Sequence, residues 1–252
     1  MTTEHRPDEG AQACASAVAS RLKLALPDEL LAVYLHGSAV LGGFRWDRSD
    51  LDLLVLTGHP LTDARTRALP ALLASVVYPS NGLELSVLTA VEAARPTFPE
   101  PRFQLHVATE GWDRRMKAVD GSACGGDRDL VLHLAVCREA GLAVVGPEPT
   151  ATLAVVPVEE IRDAAIDEIR WALEHDPPPE YVVLTAARAW RYVETGQIVS
   201  KAEAGQWAER RTPDTPVIAA ALSRQQGGAV EIPRPAARSF AGQVLHLLHP
   251  PE

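Results

Sequence analysis

Two acids one residue apart, Asp50 and Asp52, open the apolar run LDLLVLT at residues 51–57. In an extended strand residues two apart share a face, so both carboxylates project one way while Leu51 and Leu53 project the other. Like charges held a few ångströms apart repel unless they share a proton or a cation. Hard carboxylate oxygens suit Mg²⁺, which takes one or two of them and fills its other positions with water and substrate phosphates. Upstream, the run LLAVYLHG halts at Gly37, followed by Ser38. Glycine lets the backbone approach a ligand closely, and turn N–H groups with a serine hydroxyl suit phosphate oxygens. A third acid, Glu84, lies in GLELSVLT (82–89), where alternation sets Glu84 and Ser86 on one face. A carboxylate beside two metal-binding acids is placed to take the proton of an attacking hydroxyl.

These residues need strands to hold them. Short apolar runs over 30–37, 51–57, 82–89 and 103–108 read as strands. They interleave with helical patterns over 10–26, ended by Pro27, over 61–75, carrying Pro70, and over 128–141, ended by Gly141. A short helix is expected at 38–41 after the Gly-Ser turn. Strands alternating with helices predict an α/β (α+β) domain with a mixed sheet. GPEPTATLAVVP (146–157) has the composition of a linker. Beyond it the pattern is helical. Residues 158–175 set Val158, Ile161, Ala165, Ile169 and Ala172 on one face, and 181–196 stop at Gly196. Ser200 and Glu203 have capping-box spacing and open a helix through Arg210, and two further helical stretches follow. The expected organisation is an N-terminal domain at 1–150, a linker at about 146–157, and an α-helical bundle at 157–252.

Composition narrows the partners. The chain has 252 residues, 46% hydrophobic and 23% charged, as expected of a globular protein that buries a core. A net charge of −9 argues against gripping long nucleic acid, which rests on neutralising phosphates, and suits a small cationic ligand. Cys14, Cys124 and Cys137 are far apart with no CxxC pair, so neither a disulfide framework nor a zinc knuckle is suggested. The N-terminus is polar and no apolar run reaches membrane-spanning length, which predicts a cytoplasmic protein without a membrane partner. The loop GSACGGD lacks the Lys-Ser/Thr of a P-loop. Among the histidines no metal-ligand spacing occurs; His36 is expected near a nucleotide, and His133, on an apolar helix, reads as a core histidine.

HGSAVLGGFRWDRSDLDLLVL and LELSVL together resemble the polymerase-beta-like nucleotidyltransferase superfamily. VVLTAARAWRYVETGQIVSKAEAGQWA (182–208) extends the likeness to the aminoglycoside adenylyltransferases that modify streptomycin and spectinomycin, and so confer resistance. The resemblance implies that Asp50 and Asp52 hold Mg²⁺ on the phosphates of ATP, with two ions in all. It implies Glu84 as the general base, sharing a metal contact, and Gly37 and Ser38 as the phosphate-binding turn. It implies a helical domain that closes over ATP and lends Arg188 and Lys201 to the nucleotide. A drug hydroxyl would attack the α-phosphorus in line and release pyrophosphate, with ATP bound first by a monomeric enzyme. Read alone, Arg188 is more often a structural ion pair or a solvated helix residue. Lys201 opposes the helix dipole at its first position and gains from a bound phosphate.

For the acceptor, the resemblance implies Trp112 and Glu174. Streptomycin-modifying members have Asp-Glu-Arg-Asn directly before Val-Val-Leu-Thr. Here Pro178-Pro179-Glu180-Tyr181 stands in that place, so the acidic role passes to Asp176 or Glu180 or is lost. Competing readings are the same transfer to another small hydroxylated metabolite or to a protein hydroxyl, and a non-catalytic nucleotide- or drug-binding protein. Clustered acids argue against the last, because a pure binder has no need of them.

Overall fold

Strand β1 (Leu30–Leu35) pairs antiparallel with β2 (Asp50–Thr57), and the chain between them makes a single 3-10 turn at Gly37–Ala39. This computed structural model describes residues 7–78, 82–110 and 115–248, and divides into two units, 1–156 and 157–252. Before β1, helix α1 (Glu9–Ala25) is capped by Asp8 and buries Ala11, Cys14, Ala15, Val18, Ala19 and Leu22, the spacing of one helical face. After β2 come α2 (Asp63–Leu73), β3 (Gly82–Thr89) and α3 (Ala90–Ala94). Then follow β4 (Leu105–Glu110), β5 (Arg115–Asp120), α4 (Asp129–Ala140), β6 (Leu142–Val145) and α5 (Pro149–Thr152).

The six strands form one mixed sheet in the order β5-β4-β3-β2-β1-β6. Only β2 and β3 run parallel, which requires the crossover through α2. Leu51, Leu53, Leu54, Val55 and Leu56 of β2 are almost wholly buried, because this central strand is covered on both faces.

The differences from expectation are local. β5, RMKAVD, was not expected as a strand: it is a largely exposed edge strand with no apolar alternation, defined by its pairing with β4. β6 is four residues long and follows α4 directly, too short to signal itself. The expected helix at 38–41 is instead the 3-10 turn. Residues 146–157, read as a linker, pack onto the first unit over most of their length. Tyr34 Oη and Thr152 Oγ1 are 2.7 Å apart, Ala154 N–H donates to Ala93 O at 3.0 Å, and Leu153 and Val156 are buried.

The second unit is helical: α6 (Val158–His175), α7 (Pro179–Thr195), α8 (Lys201–Arg211), α9 (Pro216–Gln225) and α10 (Arg234–Leu248). Helix α7 is central, packing on the other four, and so is buried around most of its circumference from Val182 to Ala187. Gly196 ends it in the left-handed conformation. Ser200 and Glu203 form the capping box at the start of α8. The buried face of α6 is Ile161, Ala164, Ala165, Ile166, Ile169 and Ala172. Val158, expected on that face, is 65% exposed because it stands at the first residue, one turn ahead of the contacts. Among the described residues, no helix is long and apolar enough to cross a membrane.

Candidate active site

The parallel register of β2 and β3 sets Asp52 directly beside Glu84, and Asp50 beside Gly82. One carboxylate oxygen from each of Asp50, Asp52 and Glu84 lies within 4.8 Å of the other two, in half-buried surroundings. Three carboxylates at that spacing repel, and a divalent cation is the natural counter-charge. The oxygen-only donor set fits Mg²⁺.

The turn after β1 is built against these acids. Gly37 has φ +63°, and a Cβ there would overlap Asp52 Oδ2 and lie 2.9 Å from Asp52 Cβ. Only glycine lets the turn and the Asp52 carboxylate occupy adjoining space. The same junction is fixed by His36 N–H donating to Asp52 O at 3.0 Å. Ser38 Oγ is buried and has no hydrogen-bond partner among the described residues. A buried hydroxyl without a partner costs free energy unless a ligand satisfies it, which fits a phosphate oxygen at this turn.

Near Glu84 the fold brings together histidines that no spacing in the sequence connects. His133, on α4, is not a core residue: its side chain is 23% exposed and its Nε2 is 3.6 Å from Glu84 Oε1. The rings of His133 and His36 lie 5.2 Å apart at 49°. His36 is buried, and burial first, then the neighbouring His133, push its pKa well below the ordinary imidazole value, so its ring is neutral. His106 is the register partner of Ser86, and its Nδ1 is 3.0 Å from Ser86 Oγ. Burial lowers the pKa of His106, opposed by the negative charge of Glu84.

In the second unit, Arg188 and Lys201 come together around an acid that the sequence reading did not single out. Glu168, 14% exposed, accepts from Arg188 Nη2 at 2.7 Å and from Tyr181 Oη at 2.9 Å. Lys201 Nζ sits 3.6 Å above the Tyr181 ring, a cation–π contact. Burial alone would raise the Glu168 pKa, but Arg188, Lys201 and the two hydrogen-bond donors outweigh it and bring it to about 2. The available signal was an acid three residues after Ala165 and four before Ala172, on the edge of an otherwise apolar helix face.

That shift makes a prediction. The folded-state pKa lies below the ordinary 4.5, so the stabilisation is fully present above about pH 5 and is lost as pH falls towards 2. Chemical denaturation of the wild type and of Glu168→Gln should differ by about 3 kcal/mol at neutral pH. The two should converge between about pH 5 and pH 2. A difference independent of pH would show that Glu168 is not ionised in the folded protein.

Of the residues expected at the acceptor, Asp176 and Glu180 are in ion pairs. Trp112 lies outside the described residues. Glu174 is exposed in the last turn of α6. Asp176 terminates α6 in the left-handed conformation and pairs with Arg234 at 2.6 Å, while Arg238 donates to Leu173 O at 2.6 Å. Two arginines of α10 thus cap the negative end of α6. Glu180, in the first turn of α7, is 13% exposed and pairs with Arg224 at 3.4 Å.

Known proteins share both the sequence and the architecture. The model of the aminoglycoside adenylyltransferase C-terminal domain matches residues 151–246. A spectinomycin 9-adenylyltransferase of Staphylococcus aureus (strain N315) is 31% identical over 203 residues, covering 78% of this chain and 77% of that protein. An aminoglycoside (3'') (9) adenylyltransferase of Escherichia coli is 32% identical over 202 residues, covering 75% of this chain and 74% of that protein. The fold is shared with the spectinomycin adenyltransferase AAD(9) from Enterococcus faecialis, solved with ATP and spectinomycin. That match has a TM-score of 0.76 at 20% identity and covers 94% of this chain and 98% of the other. With identity above 30% sustained over three quarters of its length, this chain belongs to the aminoglycoside adenylyltransferase family of nucleotidyltransferases.

Proposed function

We propose that this protein transfers AMP from ATP to a hydroxyl of spectinomycin, in the cytoplasm, and so inactivates the drug. The observation that carries the reading is the triad of Asp50, Asp52 and Glu84 beside a turn whose glycine leaves room for the Asp52 carboxylate. Asp50, Asp52 and Glu84 would hold Mg²⁺, as two ions. Bound there, Mg²⁺ supplies neutralisation of phosphate charge and stabilises the oxygens that attack and leave.

The chain's own residues do the rest. The Gly37 turn and the Ser38 hydroxyl receive phosphate oxygens of ATP. Glu84 accepts the proton of the drug hydroxyl as its oxygen bonds to the α-phosphorus, and the bond from the α-phosphorus to the bridging oxygen breaks to release pyrophosphate. Arg188 and Lys201 bind the nucleotide, and Glu168 with Tyr181 holds both in place.

Spectinomycin is favoured over streptomycin as acceptor. The relatives include a spectinomycin 9-adenylyltransferase. Asp176 and Glu180, the acids just before and within the segment that differs from streptomycin-modifying members, are already engaged by Arg234 and Arg224. The test is incubation with ATP, Mg²⁺ and a panel of aminocyclitol and aminoglycoside drugs, following pyrophosphate release and an AMP adduct by mass. Spectinomycin should be modified at least about tenfold more efficiently than streptomycin, corresponding to about 1.4 kcal/mol of discrimination. No adduct with any drug would remove the proposed acceptor class.

A further inference from the structure

Glu84 has one neighbour in the sheet that is charged and one that is not. On β2 it adjoins Asp52, and on β4 its register partner is Ala108, a methyl group with nothing to offer a carboxylate. A base placed among like charges is pushed away from them, and a glutamate side chain has rotamer freedom costing up to about 2 kcal/mol to fix. A group that approaches it from outside the sheet's own ladder is His133 of α4, with Nε2 3.6 Å from Glu84 Oε1. The metal-binding cluster of ligand atoms within 4.8 Å consists of Asp50, Asp52 and Glu84 and does not take in His133. His133 therefore touches Glu84 without being a member of that cluster.

The histidine is itself well held. It belongs to α4, whose Leu130, Val131, Leu134, Ala135 and Cys137 are buried. Its ring leans on that of buried His36, whose backbone N–H bonds the Asp52 carbonyl. A run of contacts, from Glu84 to His133, from His133 to the His36 ring, and from the His36 backbone to Asp52, thus accompanies the β2–β3 ladder. His106, the other nearby imidazole, has its Nδ1 within hydrogen-bonding distance of Ser86.

We propose that His133 is a positioning residue for Glu84: its Nε2–H holds one carboxylate oxygen and leaves the other for the proton of the acceptor hydroxyl. The contact closes from 3.6 Å to a hydrogen bond by a small side-chain movement, as catalytic hydrogen bonds do on substrate binding. Carboxylates that bind metal are themselves oriented by hydrogen bonds, and loss of such a partner costs about 10- to 100-fold. The proposal rests on the reading of Glu84 as the base.

The experiment compares His133→Leu and His133→Gln in the wild type and in a Glu84→Gln background, using spectinomycin and MgATP. His133→Leu should lower kcat at least about tenfold with the spectinomycin KM, the MgATP Kd and Tm nearly unchanged. His133→Gln, which restores an N–H at similar reach, should recover most of that loss. In the Glu84→Gln background, measured by single turnover, His133→Leu should change the rate less than about twofold, because the group it positions is gone. An undiminished effect in that background, a Gln variant as slow as the Leu variant, or an unchanged kcat would overturn the proposal. If Glu84→Gln alone turned over normally, the base assignment would fail first and this proposal with it. If Glu84→Gln were inactive and His133→Leu normal, the proposal alone would fall.

Discussion

Glu84→Gln should slow AMP transfer steeply while leaving MgATP bound. The substitution keeps the side chain's size and one oxygen able to face a cation, and removes only the capacity to accept a proton. General-base catalysis contributes about 10²- to 10⁴-fold, so single-turnover AMP transfer should slow about a thousandfold. Calorimetric affinity for MgATP should fall by less than about tenfold, the range expected when one of three carboxylates becomes neutral but remains an oxygen donor. A parallel collapse of affinity and rate would instead make Glu84 chiefly a metal ligand. Near-normal turnover would exclude it as the base. The proposed role owes nothing to an unusual environment in sequence: it follows from the register that places Glu84 next to Asp52.

The second large effect is expected at Gly37→Ala, a change of one methyl group. At φ +63° an alanine pays about 1–2 kcal/mol of backbone strain. Its Cβ would also collide with the Asp52 carboxylate. Asp52 cannot retreat far, because β2 is held in the sheet between β1 and β3 and its carbonyl receives His36 N–H. Either the turn or the carboxylate must move, and both belong to the proposed phosphate and metal site. The efficiency of AMP transfer, kcat/KM, should drop about a hundredfold or more, whereas 1–2 kcal/mol lowers Tm by only about 2–8 °C in a chain of this size. A variant that loses stability but keeps activity would show that the turn does not serve ATP.

Much of the fold was legible because its rules are local. Strand parity alone put Asp50 and Asp52 on one face, and the structure has them there with a buried Leu51 between. The capping box at Ser200 and the stop at Gly196 are set by residues within one helical turn, so the sequence carried them in full. β5 was illegible for the converse reason. An exposed edge strand has no apolar pattern to announce it, and only its ladder with β4 defines it.

The sequence by itself determined which residues are proposed to carry the chemistry: an Asp-x-Asp on a strand, a strand-borne glutamate, and a Gly-Ser turn at a strand end. The tertiary structure decided their neighbours. It set Asp52 against Glu84 through a parallel register, since a slip of one residue along β3 would have turned the glutamate to the other face. It brought His133 from α4 to Glu84, and Glu168 from α6 to Arg188 and Lys201. Pairing across a sheet and packing between helices depend on contacts distant in the chain, whereas strand parity and helix capping are completed within a few residues.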